Sequence, residues 1–211
     1  MTESKPTTDN LHSSEVRSPA LLDRQLSCLL IVDIQTKLLP LIRNSEAVEE
    51  ATIFLMNAAA TLGVPVFVSE QYPKGLGSTV SSIAEHAVQK QVVEKLRFSA
   101  SECLLNAHAS SDDSSVMNGR IQVVLVGIEA HICVLQTALD LLHSGLKVYV
   151  VADAVGSRSE ADREVALQRV RDAGAVVCTA ESVVFEWCEV AGTDEFRQVS
   201  RLVRERDANR A

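Results

Sequence analysis

Residues 28–33 read Cys28-Leu29-Leu30-Ile31-Val32-Asp33, an unbroken apolar run that ends in a carboxylate. An apolar run that does not alternate with polar residues is typical of a strand covered on both faces, as in a parallel sheet. Similar runs occupy residues 65–68, 121–126, 147–151 and 175–178, and a further strand ends near residue 94. We therefore predict a sheet of parallel strands.

The segments between these strands have the periodicity of helices. Apolar residues recur at helical spacing after Ser45, which can cap the helix, and Gly63 ends it. The other predicted helices cover residues 133–143 and 159–173 and two C-terminal segments capped by Ser182 and by Thr193 or Asp194. Strands that alternate with helices imply right-handed crossovers and helices on both faces of the sheet, a three-layer α/β/α fold.

The composition excludes several classes of protein. Hydrophobic residues make up 46% of the 211 residues and charged residues 23%, which excludes a disordered chain, a coiled coil and a collagen-like repeat. The net charge of −8 makes a polyanion a poor partner, so we expect no nucleic acid. The run at residues 28–34 is too short to span a bilayer, and we expect no membrane partner.

One folded domain is expected over residues 21–211, preceded by a disordered N-terminal tail over residues 1–20 that is rich in Ser, Thr and Pro. Residues 106–119 are dense in Ser and Asp and are expected to form an exposed loop. The five cysteines are an odd number without a C-x-x-C pair, which indicates a reducing compartment. We expect a cytoplasmic protein, with a mitochondrial or other organellar location left open.

The carboxyl ends of parallel strands form the ligand crevice of such a sheet, so polar residues there are candidates for chemistry. Asp33 follows the first strand with Gln35 two positions later, and Lys95 follows the third strand. The alternative for Asp33 is a structural carboxylate that accepts backbone N–H bonds. The alternative for Lys95 is a solvated surface charge, and its neighbour Arg97 competes for the same role.

Cys133 is the candidate nucleophile. It opens a helix directly after a strand, where the positive end of the helix dipole favours a thiolate. The alternative is a buried apolar cysteine, which is our interpretation of the remaining four, Cys28, Cys103, Cys178 and Cys188.

Familiar cofactor and metal motifs are absent from the sequence. Gly75-x-Gly77-x-x-Val80 lacks the third glycine of a dinucleotide fingerprint, and neither a Walker sequence nor H-E-x-x-H occurs. The five histidines do not pair at a metal-ligand spacing. We therefore expect no metal and no cofactor.

Three motifs together resemble those of the isochorismatase-like cysteine hydrolases. They are Asp33-Ile34-Gln35, Lys95-Leu96-Arg97-Phe98-Ser99 and the segment from Gly127 to Val134. Together with residues 70–77, the last motif looks most similar to the eukaryotic isochorismatase domain-containing proteins, and the resemblance covers residues 27–196. Each motif alone is weak, but three in order at the strand ends are specific.

The resemblance implies a Rossmann-like fold with a six-stranded parallel sheet in the order 3-2-1-4-5-6. It also implies a catalytic triad of Asp33, Lys95 and Cys133 and a cis peptide bond between Ile128 and Glu129. The backbone N–H groups of Glu129 and Cys133 are the expected oxyanion hole. We predict that the three side chains of the triad converge in one crevice.

Departures from related families constrain the expected substrate. Related nicotinamidases bind a metal through an Asp-x-His after the second strand, where this chain has Glu70-Gln71-Tyr72. Isochorismatases that cleave a vinyl ether typically lack the cysteine that this chain keeps at position 133. A small-molecule amide, imide or related acyl substrate is therefore expected. The candidate lining residues of its pocket are Gln35, Tyr72, Phe98 and His131.

Two readings compete with a hydrolase: a binding or scaffold protein that retains the fold, and a redox-sensing thiol protein, for which no resolving cysteine lies near Cys133 in sequence. We also expect a homo-oligomer, a dimer or larger, because large apolar side chains accumulate late in the chain. Ordinary core packing is the alternative for those side chains, which belong to residues 183–187 and to Phe196, Val199, Leu202 and Val203.

Overall fold

A computed structural model describes residues 17–86, 91–109 and 119–210. Its centre is one sheet of six parallel strands in the order β3-β2-β1-β4-β5-β6. The strands are β1 (Ser27–Val32), β2 (Val66–Gln71), β3 (Gln91–Lys95), β4 (Gln122–Ile128), β5 (Lys147–Gly156) and β6 (Val176–Cys178). The predicted α/β class and strand order are confirmed.

Helices follow the strands, as the periodicity predicted. They are α1 (Ser45–Leu62), α2 (Pro73–Leu76), α3 (Ser81–His86), α4 (Glu102–Ala109), α5 (Leu135–His143), α6 (Glu160–Asp172), α7 (Ala180–Cys188) and α8 (Asp194–Arg210). Short turns of other helix types cover Leu39–Leu41 and Ala130–Val134. Within the described residues, no helix combines the length and the apolar character needed to cross a bilayer.

Several local boundaries differ from the sequence predictions. Helix α7 begins at Ala180, two residues before the predicted cap at Ser182, and Thr179 occupies the N-cap position. The N-cap of α1 is Asn44, so Ser45 is already the first helical residue. The prediction was correct for α6, where the Ser159 side chain accepts a hydrogen bond from the Asp162 N–H.

The predicted loop and tail lie only partly within the described residues. Residues 106–109 belong to α4 rather than to a loop, because the helix continues past residue 106, where the predicted polar loop begins. Residues 110–118 of that loop lie outside the described residues. Residues 1–16 of the predicted tail also lie outside them. Residues 17–20 contact the domain: the Tyr149 hydroxyl donates to the Ala20 carbonyl at 3.0 Å, and Arg17 donates to the Glu186 carbonyl.

The sheet separates two apolar cores. One core packs α1, α7 and α8 against one face and contains the fully buried indole of Trp187. The other packs α4, α5 and α6 against the opposite face and contains Phe67 and Cys133. The side chains of β1 are completely buried because both faces of this strand are covered, as its unbroken apolar run predicted.

The direction of the chain connections reverses between β1 and β4, the two central strands. Their register pairs Val32 with Gly127, so the chain ends of both strands reach the crevice side by side. Gly127 has φ +118°, and a Cβ atom there would lie 2.1 Å from the Val32 carbonyl oxygen. Glycine is therefore required for β4 to approach β1 at the point where the chain enters the crevice.

Candidate functional site

Asp33 lies at the end of β1 and is completely buried. Its backbone has φ +54°, in the left-handed region that few residues other than glycine adopt. The Lys95 ammonium donates to Asp33 Oδ2 at 2.7 Å, and the Ser69 hydroxyl donates to Asp33 Oδ1 at 2.8 Å. Both carboxylate oxygens thus have a donor, as a buried carboxylate requires.

Lys95 is almost fully buried at the end of β3 and is not the solvated charge of the alternative reading. Besides Asp33, its ammonium donates to Gln71 Oε1 at 2.7 Å and to the Phe98 carbonyl at 2.8 Å. The Gln71 amide in turn donates to the Leu96 carbonyl at 2.9 Å. These contacts compensate for burial of the cation and fix the ammonium beside Asp33.

Cys133 lies in the π-helical turn Ala130–Val134, which joins β4 to α5, and only 6% of the residue is exposed. The charges of the Asp33 carboxylate and of the Lys95 ammonium both reach its thiol. Asp33, Lys95 and Cys133 therefore meet in one place, although they are far apart in sequence.

The resting state of Cys133 differs from the prediction. Burial and the neighbouring charge of Asp33 raise the pKa of the Cys133 thiol to about 12, although Lys95 lowers it. Desolvation of the charged form outweighs the attraction of the Lys95 ammonium, so the resting form is not the thiolate that the helix-dipole argument favours. The thiol is protonated at neutral pH.

Glu129 links the turn around Cys133 to the connection between β5 and α6. The Ile128–Glu129 peptide bond is cis, as predicted. The Glu129 carbonyl accepts from the N–H groups of Ile132 and Val134 at 3.1 and 3.2 Å. The Glu129 carboxylate accepts from the backbone N–H of Arg158 at 3.0 Å and from Arg158 Nε at 3.0 and 3.2 Å.

The predicted pocket residues fall into two groups. Gln35 is completely buried, and its amide exchanges hydrogen bonds with the backbone of Gln71 at 2.8 and 3.1 Å. It therefore fixes the end of β2 and offers no open surface to a ligand. Tyr72 and Phe98 are about half exposed (50% and 52%), one following β2 and the other following β3.

His131 lies in the turn of Cys133 and faces α6. Its Nδ1 is 3.0 Å from the Ser157 hydroxyl, and its Nε2 is 3.9 Å from the Asp162 carboxylate. A cavity of about 340 Å³ lies between the loop after β3 and helix α5. It is lined by Arg97, Phe98, Ser99, Gln136, Leu139 and Asp140.

Three residues that support the triad escaped the sequence analysis. Ser69 and Gln71 contact Asp33 and Lys95 from the end of β2, where polar residues in a buried strand were the available signal. The Thr137 hydroxyl donates to the Cys133 carbonyl at 2.6 Å and accepts from the Ala100 N–H at 2.8 Å. It connects the turn of Cys133 to the loop after β3, whose Phe98 carbonyl accepts from Lys95, and no sequence motif marks it.

Glu70 lies near the end of β2, in the segment where related nicotinamidases bind a metal. Glu70 directs one carboxylate oxygen to the N–H and hydroxyl of Thr79, at 2.6 and 2.7 Å, and so closes the loop at residues 70–79. No group of three His, Cys, Asp or Glu side chains with metal-binding geometry occurs in the described parts of the chain.

The remaining cysteines are free thiols. Burial raises the pKa of Cys28 and of Cys178 to about 12, in agreement with a packing role. Cys103 shares the core of Cys133, and the charges of Lys95 and Asp33 reach its thiol, so it lies nearer the site than its sequence position indicated.

Comparison with known proteins identifies relatives that match most of this chain. The model of the Isochorismatase domain matches residues 27–182. The secreted isochorismatase effector Isc1 of Phytophthora sojae is 40% identical over 182 residues, which cover 85% of each chain. Isochorismatase domain-containing protein 2A of Mus musculus is 37% identical over 85% of this chain and 83% of its own.

A similar solved structure is described as the MAR1 ribonuclease from Caenorhabditis elegans. It has a TM-score of 0.78 and 35% sequence identity, and the match covers 88% of this chain and 93% of that chain.

Proposed function

Because this chain belongs to the isochorismatase domain family, we propose that it is a metal-independent hydrolase that uses Cys133 as its nucleophile. The observation that carries the proposal is that the charges of Asp33 and Lys95 both act on the Cys133 thiol, while the Asp33 carboxylate is bonded to Lys95 at 2.7 Å. A nucleophile in contact with a base, which a third group orients, is the arrangement that covalent catalysis requires.

Asp33 accepts the thiol proton as the sulfur attacks the substrate carbonyl. Because the resting thiol has a pKa of about 12, proton transfer and attack are expected to occur together rather than through a standing thiolate. Lys95 keeps Asp33 oriented throughout. Asp33 then delivers the proton to the leaving group. Water hydrolyses the thioester, and the proton that Asp33 takes from the water passes to the departing Cys133 sulfur, which restores the resting thiol.

The expected oxyanion hole is the backbone N–H of Glu129 together with that of Cys133. The position of Glu129 supports this role, since it is the N-cap of the turn Ala130–Val134 that contains Cys133. Loss of one such donor typically costs ~3 kcal/mol of transition-state stabilisation.

The substrate class that this chemistry fits is a small amide, imide or related acyl compound. Near the end of β2, one oxygen of the Glu70 carboxylate is engaged by the N–H and hydroxyl of Thr79. Tyr72, Phe98 and His131 are the residues we propose for substrate contact, because each lies close to the triad with part of its side chain open to solvent. Gln35 has a supporting role instead.

The test is a screen of small amides and imides on the wild type and on Cys133→Ala. Hydrolysis is expected in the wild type and absent in Cys133→Ala. The matched control is Cys188→Ala, which removes a partly exposed thiol that packs against the core on the other face of the sheet. It is expected to retain full activity, and an active Cys133→Ala enzyme would refute the proposal.

A binding or scaffold role is the second candidate, and one observation favours it. Cys133 is buried and held protonated at neutral pH. Iodoacetamide separates the two functions, because a hydrolase site should alkylate at a rate that Asp33→Asn changes. An alkylation rate that Asp33→Asn leaves unchanged would favour the scaffold.

RNA belongs in the same screen because the Caenorhabditis elegans relative is described as a ribonuclease. We expect no RNA cleavage, since the net charge of −8 opposes binding of a polyanion. RNA cleavage that survives a further purification step would contradict this expectation, whether or not Cys133→Ala abolishes it.

We retain the homo-oligomer as a proposal on a narrower basis. Most of the late apolar side chains are core residues, since Val183, Val184, Trp187 and Val199 are buried. Phe185 remains 42% exposed, and exposed apolar area of this kind favours association. Light scattering over a dilution series is expected to give a dimer or a larger assembly, and a constant one-chain mass would refute it.

A further inference from the structure

Glu129 is an unusual residue of the site, because its backbone and its side chain contact different segments of the chain. The Glu129 backbone begins the turn that contains Cys133, and its carbonyl accepts from the N–H groups of Ile132 and Val134 at 3.1 and 3.2 Å. The side chain is directed away from the sulfur, to the start of the connection into α6, where the backbone N–H and the Nε of Arg158 hold both carboxylate oxygens. The carboxylate is almost fully buried, whereas 59% of the Arg158 side chain is exposed.

A second contact joins the same two segments. His131 Nδ1 lies 3.0 Å from the Ser157 hydroxyl, and Ser157 directly precedes Arg158. The turn of Cys133 is therefore attached to the connection between β5 and α6 at two points, by residues 129 and 131. An exposed ion pair contributes little to stability, but a buried carboxylate with two donors, the N–H and the Nε of Arg158, has a defined orientation.

We propose that Arg158 and the Glu129 carboxylate are a positioning pair that aims the Glu129 N–H at the oxyanion. This inference rests on the proposed function, since it assigns a role within the oxyanion hole. Neither side chain contacts the reacting atoms. Their effect is on the direction of a backbone donor, because a carboxylate clamped at its far end restricts rotation of its own peptide unit.

Two reactions of Cys133 distinguish a positioning role of this pair from a general loss of stability. A small aldehyde, acetaldehyde, adds reversibly to the Cys133 thiol. The S–C bond forms, the carbonyl π bond opens, and the thiol proton moves to the former carbonyl oxygen, which occupies the oxyanion site. Alkylation by iodoacetamide instead displaces iodide from a carbon without an oxyanion, so it reports on the thiol alone.

The variants are Arg158→Gln, Glu129→Gln and the double variant, with Arg201→Gln as the control. Arg201 forms an exposed pair with Glu205 on α8 at 3.6 Å, remote from the site. We expect each single variant to weaken acetaldehyde binding about tenfold, a fraction of the loss caused by deleting an oxyanion donor. The double variant should lose no more than the singles, because both act through one contact.

Alkylation rates and melting temperatures should stay close to those of the wild type in all variants, and Arg201→Gln should match the wild type throughout. Binding within twofold of the wild type in both single variants would overturn the inference and leave the proposed function intact. Equal losses in alkylation, aldehyde binding and melting temperature would also overturn it, since the pair would then be structural. A wild type that binds no more acetaldehyde than Cys133→Ser would overturn both.

Discussion

Replacing Gly127 by alanine tests whether the approach of β4 to β1 builds the site. The new Cβ would lie 2.1 Å from the Val32 carbonyl oxygen and 2.7 Å from the Val32 nitrogen. Both contacts are to backbone, so no side chain can rotate away. Reaching an ordinary contact distance requires the two strands to separate by about 1.3 Å at this point.

The expected loss of stability has two sources. Overpacking of this kind costs ~1–3 kcal/mol, and a side chain at positive φ costs ~1–2 kcal/mol. We expect the free energy of unfolding to fall by about 2–5 kcal/mol, a large share of the ~5–15 kcal/mol of an ordinary domain. The control is Gly63→Ala, since Gly63 also has positive φ (+71°) but no atom within 4 Å of the new Cβ.

Urea unfolding followed by fluorescence is a suitable assay, because Trp187 is the only tryptophan and is buried in the core. Gly63→Ala should lose only the backbone part, about 1–2 kcal/mol. Gly127→Ala should lose clearly more stability than Gly63→Ala. Its folded form should also show altered alkylation of Cys133, because Val32 directly precedes Asp33 and a shift of Val32 moves the Asp33 carboxylate. A Gly127→Ala protein no less stable than Gly63→Ala would refute the steric argument.

Three further predictions concern the protonation and support of the site. Asp33→Asn should lower the pKa of Cys133 below its value of about 12, because the charge of Asp33 raises it. Ultraviolet titration of the thiolate measures this pKa, and an unchanged or higher value would contradict the assignment. Thr137→Val should cost ~1–3 kcal/mol in urea unfolding because it leaves the buried Ala100 N–H without an acceptor, whereas Thr137→Ser should retain most of the stability. Above about pH 9 the unfolded chain releases thiol protons that Cys28 and Cys133 retain up to about 12, so the free energy of unfolding should fall between these pH values, and a flat profile would contradict the raised pKa values.

The sheet could be predicted from sequence because its signals are local. The unbroken apolar run at residues 28–32 marks a buried strand, and Gly63 marks a helix end. The strand order and the meeting of Asp33, Lys95 and Cys133 were accessible only through the resemblance, since no local pattern specifies which strands are neighbours.

The support of the site was not accessible, because it depends on contacts between distant segments. Ser69 reaches Asp33 and Arg158 reaches Glu129 across 36 and 29 positions, and neither occurs in a motif. The protonation of Cys133 was missed for a related reason. Sequence shows that the residue precedes a helix, but it does not show how deeply the fold buries the thiol.

The central claim is that Cys133 becomes acylated during turnover. We would mix the protein with p-nitrophenyl acetate as an activated acyl donor, quench with acid and locate the acetyl group by peptide mass spectrometry. The account predicts an acetyl thioester on Cys133 that appears before steady hydrolysis and is absent from Cys133→Ser. Hydrolysis that continues at the wild-type rate in Cys133→Ser, with no acetyl group on Cys133 in the wild type, would contradict it.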